Sequence, residues 1–230
     1  MSEFSKFARR NDLRTLGMLA GMFVFAVIFW NTPLLYPVKL FVVILHEFSH
    51  GLAAILTGGE IVRIEVNAQI GGLCYTRGGA LFIVASAGYL GSILWGGLIL
   101  TIATRTRADK YLGIGIGGLL LLLALLYIRN GFGLLFTAGF GGALIAISVF
   151  APHRFVDGLM KFLGMTSCLY VIIDIKEDLI DRSGVGSDAD AIAHLLGVPA
   201  LSVAIGVFWI LLALAAFAFF LNIVRKGAQP

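Results

Sequence analysis

Long stretches of this chain, such as Gly113 to Ile128 and Leu201 to Ile223, contain no charged side chain. A helix of about 20 apolar residues is long enough to cross the hydrocarbon core of a bilayer. Hydrophobic residues make up 59% of the 230 positions and charged residues only 13%, with a mean hydropathy of +0.97. A soluble domain of this size needs far more polar surface. The sequence therefore predicts an integral membrane protein whose surroundings are the lipid bilayer.

Hydropathy and turn signals divide the chain into about seven transmembrane helices. The predicted fold class is an all-α polytopic membrane protein with one short β-hairpin at the membrane surface. We expect a tail at 1–15, a single membrane-embedded domain at 16–224 and a second tail at 225–230. The candidate spans are 16–36, 38–57, 80–103, 111–128, 132–151, 160–179 and 199–224.

The segment from Gly58 to Gly79 differs from the spans around it. Glycine pairs stand at both of its ends and a third pair, Gly71-Gly72, lies inside it. The residues 61–66 partly alternate between apolar and polar, which together with the glycines is typical of two strands joined by a turn. An open strand edge cannot face lipid, so we expect this hairpin at the membrane surface or covered by protein.

The net charge of +4 comes from basic residues scattered between the apolar runs. This pattern is typical of loop charge near lipid headgroups, and it argues against a nucleic-acid partner. Four basic residues precede the first span: Lys6, Arg9, Arg10 and Arg14. Because the charge before the first helix usually dominates orientation, we expect the N-terminus in the cytoplasm.

The sequence His46-Glu47-Phe48-Ser49-His50 lies inside the second span. Histidines four residues apart lie on one face of a helix and can bind one zinc ion. Glu47 is placed to act as the catalytic base that takes a proton from the water that zinc activates. Ionisable side chains within a membrane span are costly and mark functional sites. The motif therefore predicts a zinc hydrolase with Zn²⁺ as its cofactor, and not a chance polar patch.

These residues resemble the site-two-protease family of intramembrane zinc metalloproteases, in particular its small bacterial branch without a PDZ domain. The apolar lead-in 42–45, the motif 46–51 and the glycine-rich hairpin all match, as does the sequence 87–92 that opens the next span. The family usually has Ala-Gly-Pro-x-x-Asn there, whereas this chain has Tyr89 and Ser92, and it lacks the family's Leu-Asp-Gly motif. The resemblance implies a peptidase domain in a bacterial cell membrane, a membrane-protein substrate, and zinc held by two histidines and a distant aspartate.

The third metal ligand has to come from elsewhere in the chain, because catalytic zinc sites keep three protein ligands. At 1.5 Å per residue, His46 and His50 lie about 10 and 16 Å beyond Lys39. Asp174 lies about 20 Å beyond Lys161 in the sixth span, which makes it the preferred candidate by depth. The alternatives are Asp188 or Asp190, if their loop folds back, and Asp178.

The sequence thus favours a zinc-dependent intramembrane endopeptidase that cleaves transmembrane or juxtamembrane segments. Two other classes remain as hypotheses: an inactive scaffold or regulator with the same fold, and a transporter that uses the same zinc ligands. The departures at Tyr89 and Ser92 favour the first of these. The absence of a sequence repeat counts against the second, and Glu47 counts against both because a structural zinc needs no base.

Overall fold

The computed structural model describes the backbone of residues 3–176 and 187–226, and the side chains of residues 15–176 and 187–225. Eight α-helices and one two-stranded sheet follow one another within these ranges. They are α1 (Glu3–Ile28), α2 (Tyr36–Leu56), β1 (Glu60–Val66), β2 (Gly72–Arg77), α3 (Leu81–Arg105), α4 (Asp109–Leu126), α5 (Gly131–Phe150), α6 (His153–Lys176), α7 (Asp188–Leu195) and α8 (Ser202–Lys226).

The predicted polytopic all-α fold is confirmed. In the part of the chain that is described, six helices are long and apolar enough to cross a membrane: α2 to α6 and the segment Pro199–Arg225, which contains all but the last residue of α8. The apolar part of α1, Thr15–Ile28, is shorter than the predicted first span. Helix α1 stops at Ile28 because turns occupy the residues before α2, where Pro33 disfavours helical backbone for the residue before it and Thr32 bonds back to the Phe29 carbonyl.

The predicted hairpin is also confirmed, as an antiparallel pair in which Ile64 lies opposite Cys74. The outer edge of β1 is covered by the connection between α4 and α5. Ile64 donates its N–H to the Tyr127 carbonyl at 2.8 Å and accepts the Arg129 N–H at 3.1 Å. The Asn130 side chain bonds both the N–H and the carbonyl of Val66. These contacts give the backbone groups at the edge of β1 the hydrogen-bond partners that lipid could not have provided.

Helices α2, α3 and α6 form the centre of the bundle. Helices α3 and α6 approach with their backbones in contact, since a Cβ on Gly96 would lie 2.9 Å from the Gly164 carbonyl oxygen and one on Gly164 would lie 2.7 Å from the Leu100 nitrogen. Glycine permits this close packing, which supplies dispersion contacts where lipid offers no hydrophobic driving force. Helices α4 and α5 pair in the same way through Gly117 and Gly141.

Helix α7 is short and packs between α3 and α8 through Ala189, Ile192 and Ala193, all of which are buried. It ends where Gly197 adopts a φ of +72°, a left-handed conformation that favours glycine. Helix α7 therefore lies against the bundle, and its first residue, Asp188, lies next to His46 and His50 of α2.

Candidate metal centre

Helix α2 brings the histidines of the HEFSH motif together. Pro37 lies in its first turn, where the missing N–H costs nothing. Because His46 and His50 are one turn apart, both rings face the same side, with centroids 4.8 Å apart. The residues between Leu40 and Leu45 are buried almost completely. The motif is therefore held in the most enclosed part of the bundle.

Asp188 approaches both histidines from α7. Its Oδ2 atom lies 3.3 Å from the Nε2 atom of His46 and 3.3 Å from the Nε2 atom of His50. Among the described residues these three form the one group whose ligand atoms are close enough to hold a metal ion together. Asp188 is the first residue of α7, so its position depends on how that helix begins.

A capping box fixes the beginning of α7. The Ser187 hydroxyl accepts the Asp190 N–H, and the Asp190 carboxylate accepts the Ser187 N–H, each at 3.1 Å. The second oxygen of Asp190 accepts the Ser202 hydroxyl at 2.5 Å, which joins this end of α7 to the start of α8. Reciprocal bonds of this kind satisfy the free N–H groups of the first turn. They leave Asp188 directed at the histidines.

The hydrogen bonding of His50 is compatible with a cation between these groups. Its Nδ1 atom is 2.7 Å from the Val84 carbonyl, so Nδ1 carries a proton and the neutral ring presents a lone pair at Nε2. That lone pair faces the Asp188 carboxylate, whose buried Oδ2 accepts no hydrogen bond from the described residues. Two facing acceptors repel unless a positive charge lies between them. The donor set is that of a metal site with an oriented histidine.

The ionisation of the Asp188 carboxyl group is also compatible with a cation at this position. Burial would raise the pKa of this carboxyl, but the two facing imidazoles, when they are protonated, lower it below its ordinary value. A bound cation would act in the same direction. Asp188 is therefore an ionised, acceptor-only side chain suited to metal binding.

Gly88 of α3 makes the close approach of the two histidines possible. A Cβ at this position would lie 2.3 Å from Nε2 of His46 and 2.4 Å from Nε2 of His50. The neighbouring Tyr89 packs its ring against His46, with centroids 5.1 Å apart. Ser92 stands where the family that the sequence resembles has asparagine. It is buried and donates its hydroxyl to the Gly88 carbonyl of its own helix. Ser92 therefore supplies no donor to the site.

Glu47 is directed at the hairpin. Only 6% of its surface is exposed, and its carboxyl group accepts the backbone N–H of Cys74. A Cβ on Gly72 would lie 2.6 Å from the Glu47 Cγ, so β2 can approach only because this residue is glycine. Burial, and then the nearby Glu47 carboxylate, raise the pKa of the Cys74 thiol to about 12. A protonated thiol is a poor nucleophile and a poor metal ligand.

These residues line one cavity of about 380 Å³. His46, Glu47, His50 and Asp188 form its polar wall, and the start of α3 and strand β2 form two others. Cavities of this size accommodate a segment of a ligand together with ordered water. The arrangement places three side chains that could hold a metal ion, and one buried carboxyl group, beside strand β2.

Each aspartate considered from the sequence has a distinct place. Asp174 lines the same cavity but is not part of the metal-ligand group. Asp190 closes the capping box, and Asp178 lies outside the described residues. The structure thus brings Asp188, one of the alternatives, to the histidines in place of the preferred Asp174. The comparison of depths assumed that the third ligand lies within a transmembrane span. Asp188 instead lies on α7, a short helix outside the candidate spans that packs back against the site.

Sequence reasoning did not identify the roles of Gly72 and Gly88, because Gly72 was assigned only to a glycine pair of the hairpin and Gly88 only to the family pattern at 87–92. The match of Ala87-Gly88 to the family pattern was the available signal for Gly88. For Gly72 the sequence carries no comparable signal, because its contact with Glu47 arises from packing between distant elements.

Comparison with known proteins gives one finding. A family model described as Peptidase M50B-like matches residues 19–220. Comparison with curated proteins and with solved structures gave no match. The matched range includes α2, the hairpin, α7 and most of α8, and so contains every residue of the candidate site.

Proposed function

Because this chain belongs to the Peptidase M50B-like, or site-two-protease, family, we propose that it is a zinc-dependent endopeptidase that cleaves transmembrane or juxtamembrane segments of membrane proteins. Family membership indicates a membrane metallopeptidase in general. The observation that carries the finer proposal is the position of Asp188 Oδ2, at 3.3 Å from both histidine Nε2 atoms.

His46, His50 and Asp188 would hold the zinc ion. Atoms that are each about 2.0–2.1 Å from a tetrahedral zinc lie roughly 3.3 Å apart, which is the separation seen here between the carboxylate and each imidazole. Two imidazoles and one carboxylate leave a fourth position for substrate or water, as in catalytic zinc sites. When bound, zinc would polarise the scissile carbonyl group and lower the pKa of water at the site.

Glu47 would be the general base and then the general acid. It accepts a proton from the attacking water and passes it to the nitrogen of the departing amine. Its carboxyl group is next to the histidines in sequence but is outside the metal-ligand group, as a base requires. The Cys74 N–H fixes one side of the carboxyl, which leaves its other oxygen for the water.

Strand β2 would bind the substrate as an added strand. Because the N–H and carbonyl of Ile64 point to residues 127–129, its partner Cys74 directs its own backbone groups to the opposite edge, where the Glu47 carboxyl accepts the Cys74 N–H. Gly72 and Thr76 share that orientation and line the cavity with Cys74. A substrate paired with this edge is extended, which exposes the peptide carbonyls that a helix would hide.

An inactive regulator is the second candidate, favoured by Tyr89 and Ser92, which stand where the family usually carries proline and asparagine. Glu47→Gln separates the two functions. The proposed enzyme keeps its zinc, measured by metal analysis of the purified protein, and loses about 10²- to 10⁴-fold in proteolysis of a membrane substrate. Loss of zinc would identify Glu47 as a ligand. Wild-type protein that binds zinc but cleaves no membrane substrate, or a variant that cleaves at the wild-type rate, would contradict the endopeptidase proposal.

A further inference from the structure

Helices α1 and α6 leave between them an apolar groove of about 530 Å³. Phe25 and Phe162 contribute aromatic walls, with ring centroids 5.9 Å apart. Gly21 and Gly158 open the groove from its two sides, since a Cβ on either would meet no described atom within 4 Å. The space therefore exists because these two positions lack side chains.

Arg154 is the one charged side chain among the described residues that line the groove. It is exposed and has neither an ion pair nor a hydrogen bond within the described part of the chain. Asp157, one helical turn further along α6, pairs with Lys161 instead. The cation at the mouth of the groove is therefore left without a counter-charge from its own helix.

The groove lies at the opposite end of α6 from the metal centre. Arg154 is the second residue of α6, whereas Tyr170 and Asp174 near its other end line the catalytic cavity. From Arg154 to Phe162 the groove follows α6 for about 12 Å. This is close to the hydrocarbon depth of one leaflet, half of about 30 Å. Its charged end thus lies at headgroup level while its apolar wall lies at acyl-chain level.

We propose that this groove is a binding site for an anionic phospholipid. Its phosphate pairs with Arg154, and one acyl chain occupies the space that Gly21 and Gly158 leave open. Arginine binds phosphate through paired N–H donors, which makes the pairing specific for a negatively charged headgroup. The apolar wall selects a ligand with a hydrocarbon chain over free phosphate. The bound lipid fills the gap between α1 and α6 and holds these helices together.

Native mass spectrometry of the delipidated full chain tests the charge contact, with phosphatidylglycerol and phosphatidylcholine of identical acyl chains as probes. We expect wild-type protein to prefer phosphatidylglycerol. Arg154→Gln should weaken that binding about fivefold, the effect of one basic residue at an anionic surface, and leave phosphatidylcholine unchanged. Arg107→Gln is the control, because Arg107 is an exposed arginine outside the groove.

Gly158→Leu tests the acyl-chain contact by placing a side chain in the groove, at a position where a Cβ would meet no described atom within 4 Å. It should reduce the binding of phosphatidylglycerol at least fivefold, whereas Gly115→Leu, at an equally open position on α4, should not. Equal binding of the two lipids by wild-type protein, or wild-type affinity in both Arg154→Gln and Gly158→Leu, would overturn the proposal. A protein dimer that Gly158→Leu abolishes while lipid binding persists would instead assign the groove to a second copy of the chain.

Discussion

Helices α2 and α5 have nearly the same length, 21 and 20 residues, and opposite surroundings. In α2, 72% of the 18-residue apolar segment that could span the membrane is buried inside the protein, whereas in α5 the buried share is 28%. Yet α2 carries Lys39, His46, Glu47 and His50, whereas α5 has no charged residue. Lipid does not reward the burial of apolar side chains and penalises exposed polar ones. The more polar helix therefore occupies the centre, and the more apolar helix faces lipid.

The same contrast applies to glycines of the two regions. A Cβ on Gly88, beside α2, would lie against the proposed metal ligands His46 and His50, whereas a Cβ on Gly142 of α5 would meet no described atom within 4 Å. Gly88→Ala should displace both imidazoles, so we expect loss of zinc and a fall in proteolysis of more than about 100-fold. Gly142→Ala should keep both properties and gain up to about 1 kcal/mol in stability.

Metal analysis and a thermal unfolding scan of the two purified variants measure this difference. Full zinc content together with wild-type activity in Gly88→Ala would show that the glycine is not needed for the site. A large loss of stability in Gly142→Ala would show that α5 is more constrained than its exposure indicates.

Helix α7 packs against the enclosed centre of the bundle. Its capping box should therefore affect zinc binding more than a cap at the protein surface would. Asp190→Ala removes the acceptor for both the Ser187 N–H and the Ser202 hydroxyl. Because Asp188 then loses its fixed direction, zinc affinity should fall about 10- to 100-fold, as for other residues that orient a ligand. Ser202→Ala removes only one of these bonds and should have a smaller effect. Competition with a fluorescent chelator measures both affinities, and an unchanged affinity in Asp190→Ala would refute the role of the cap.

A smaller effect is expected at the edge of the hairpin. Thr76→Pro removes an N–H that points away from β1, so the ladder between the strands should survive. Loss of one substrate hydrogen bond should raise KM about 2- to 10-fold with zinc content unchanged. Tyr75→Pro, at the adjacent position that faces β1, should instead disrupt the hairpin. Equal and wild-type KM values in the two variants would show that the strand is only a connector.

The sequence predicts what depends on neighbouring residues and fails where distant elements meet. His46 and His50 could be assigned because one helical turn fixes their spacing, and the hairpin could be assigned from its glycine pairs. Asp188 was only an alternative, because reaching the histidines requires the chain to return after α6. The spacing of Ser187 and Asp190 was a usable signal, since it predicts a capped helix that begins beside Asp188. Nothing local indicated which face of that helix would meet α2.

The most direct test of the account compares the zinc content and zinc affinity of Asp188→Asn and Asp174→Asn. Both aspartates line the same cavity, and both substitutions remove one negative charge at nearly constant volume. We expect Asp188→Asn to lose zinc on purification, or to bind it at least about 100-fold more weakly, whereas Asp174→Asn should retain one zinc ion per chain. Full zinc retention in Asp188→Asn with loss in Asp174→Asn would contradict the assignment of Asp188 as the third ligand.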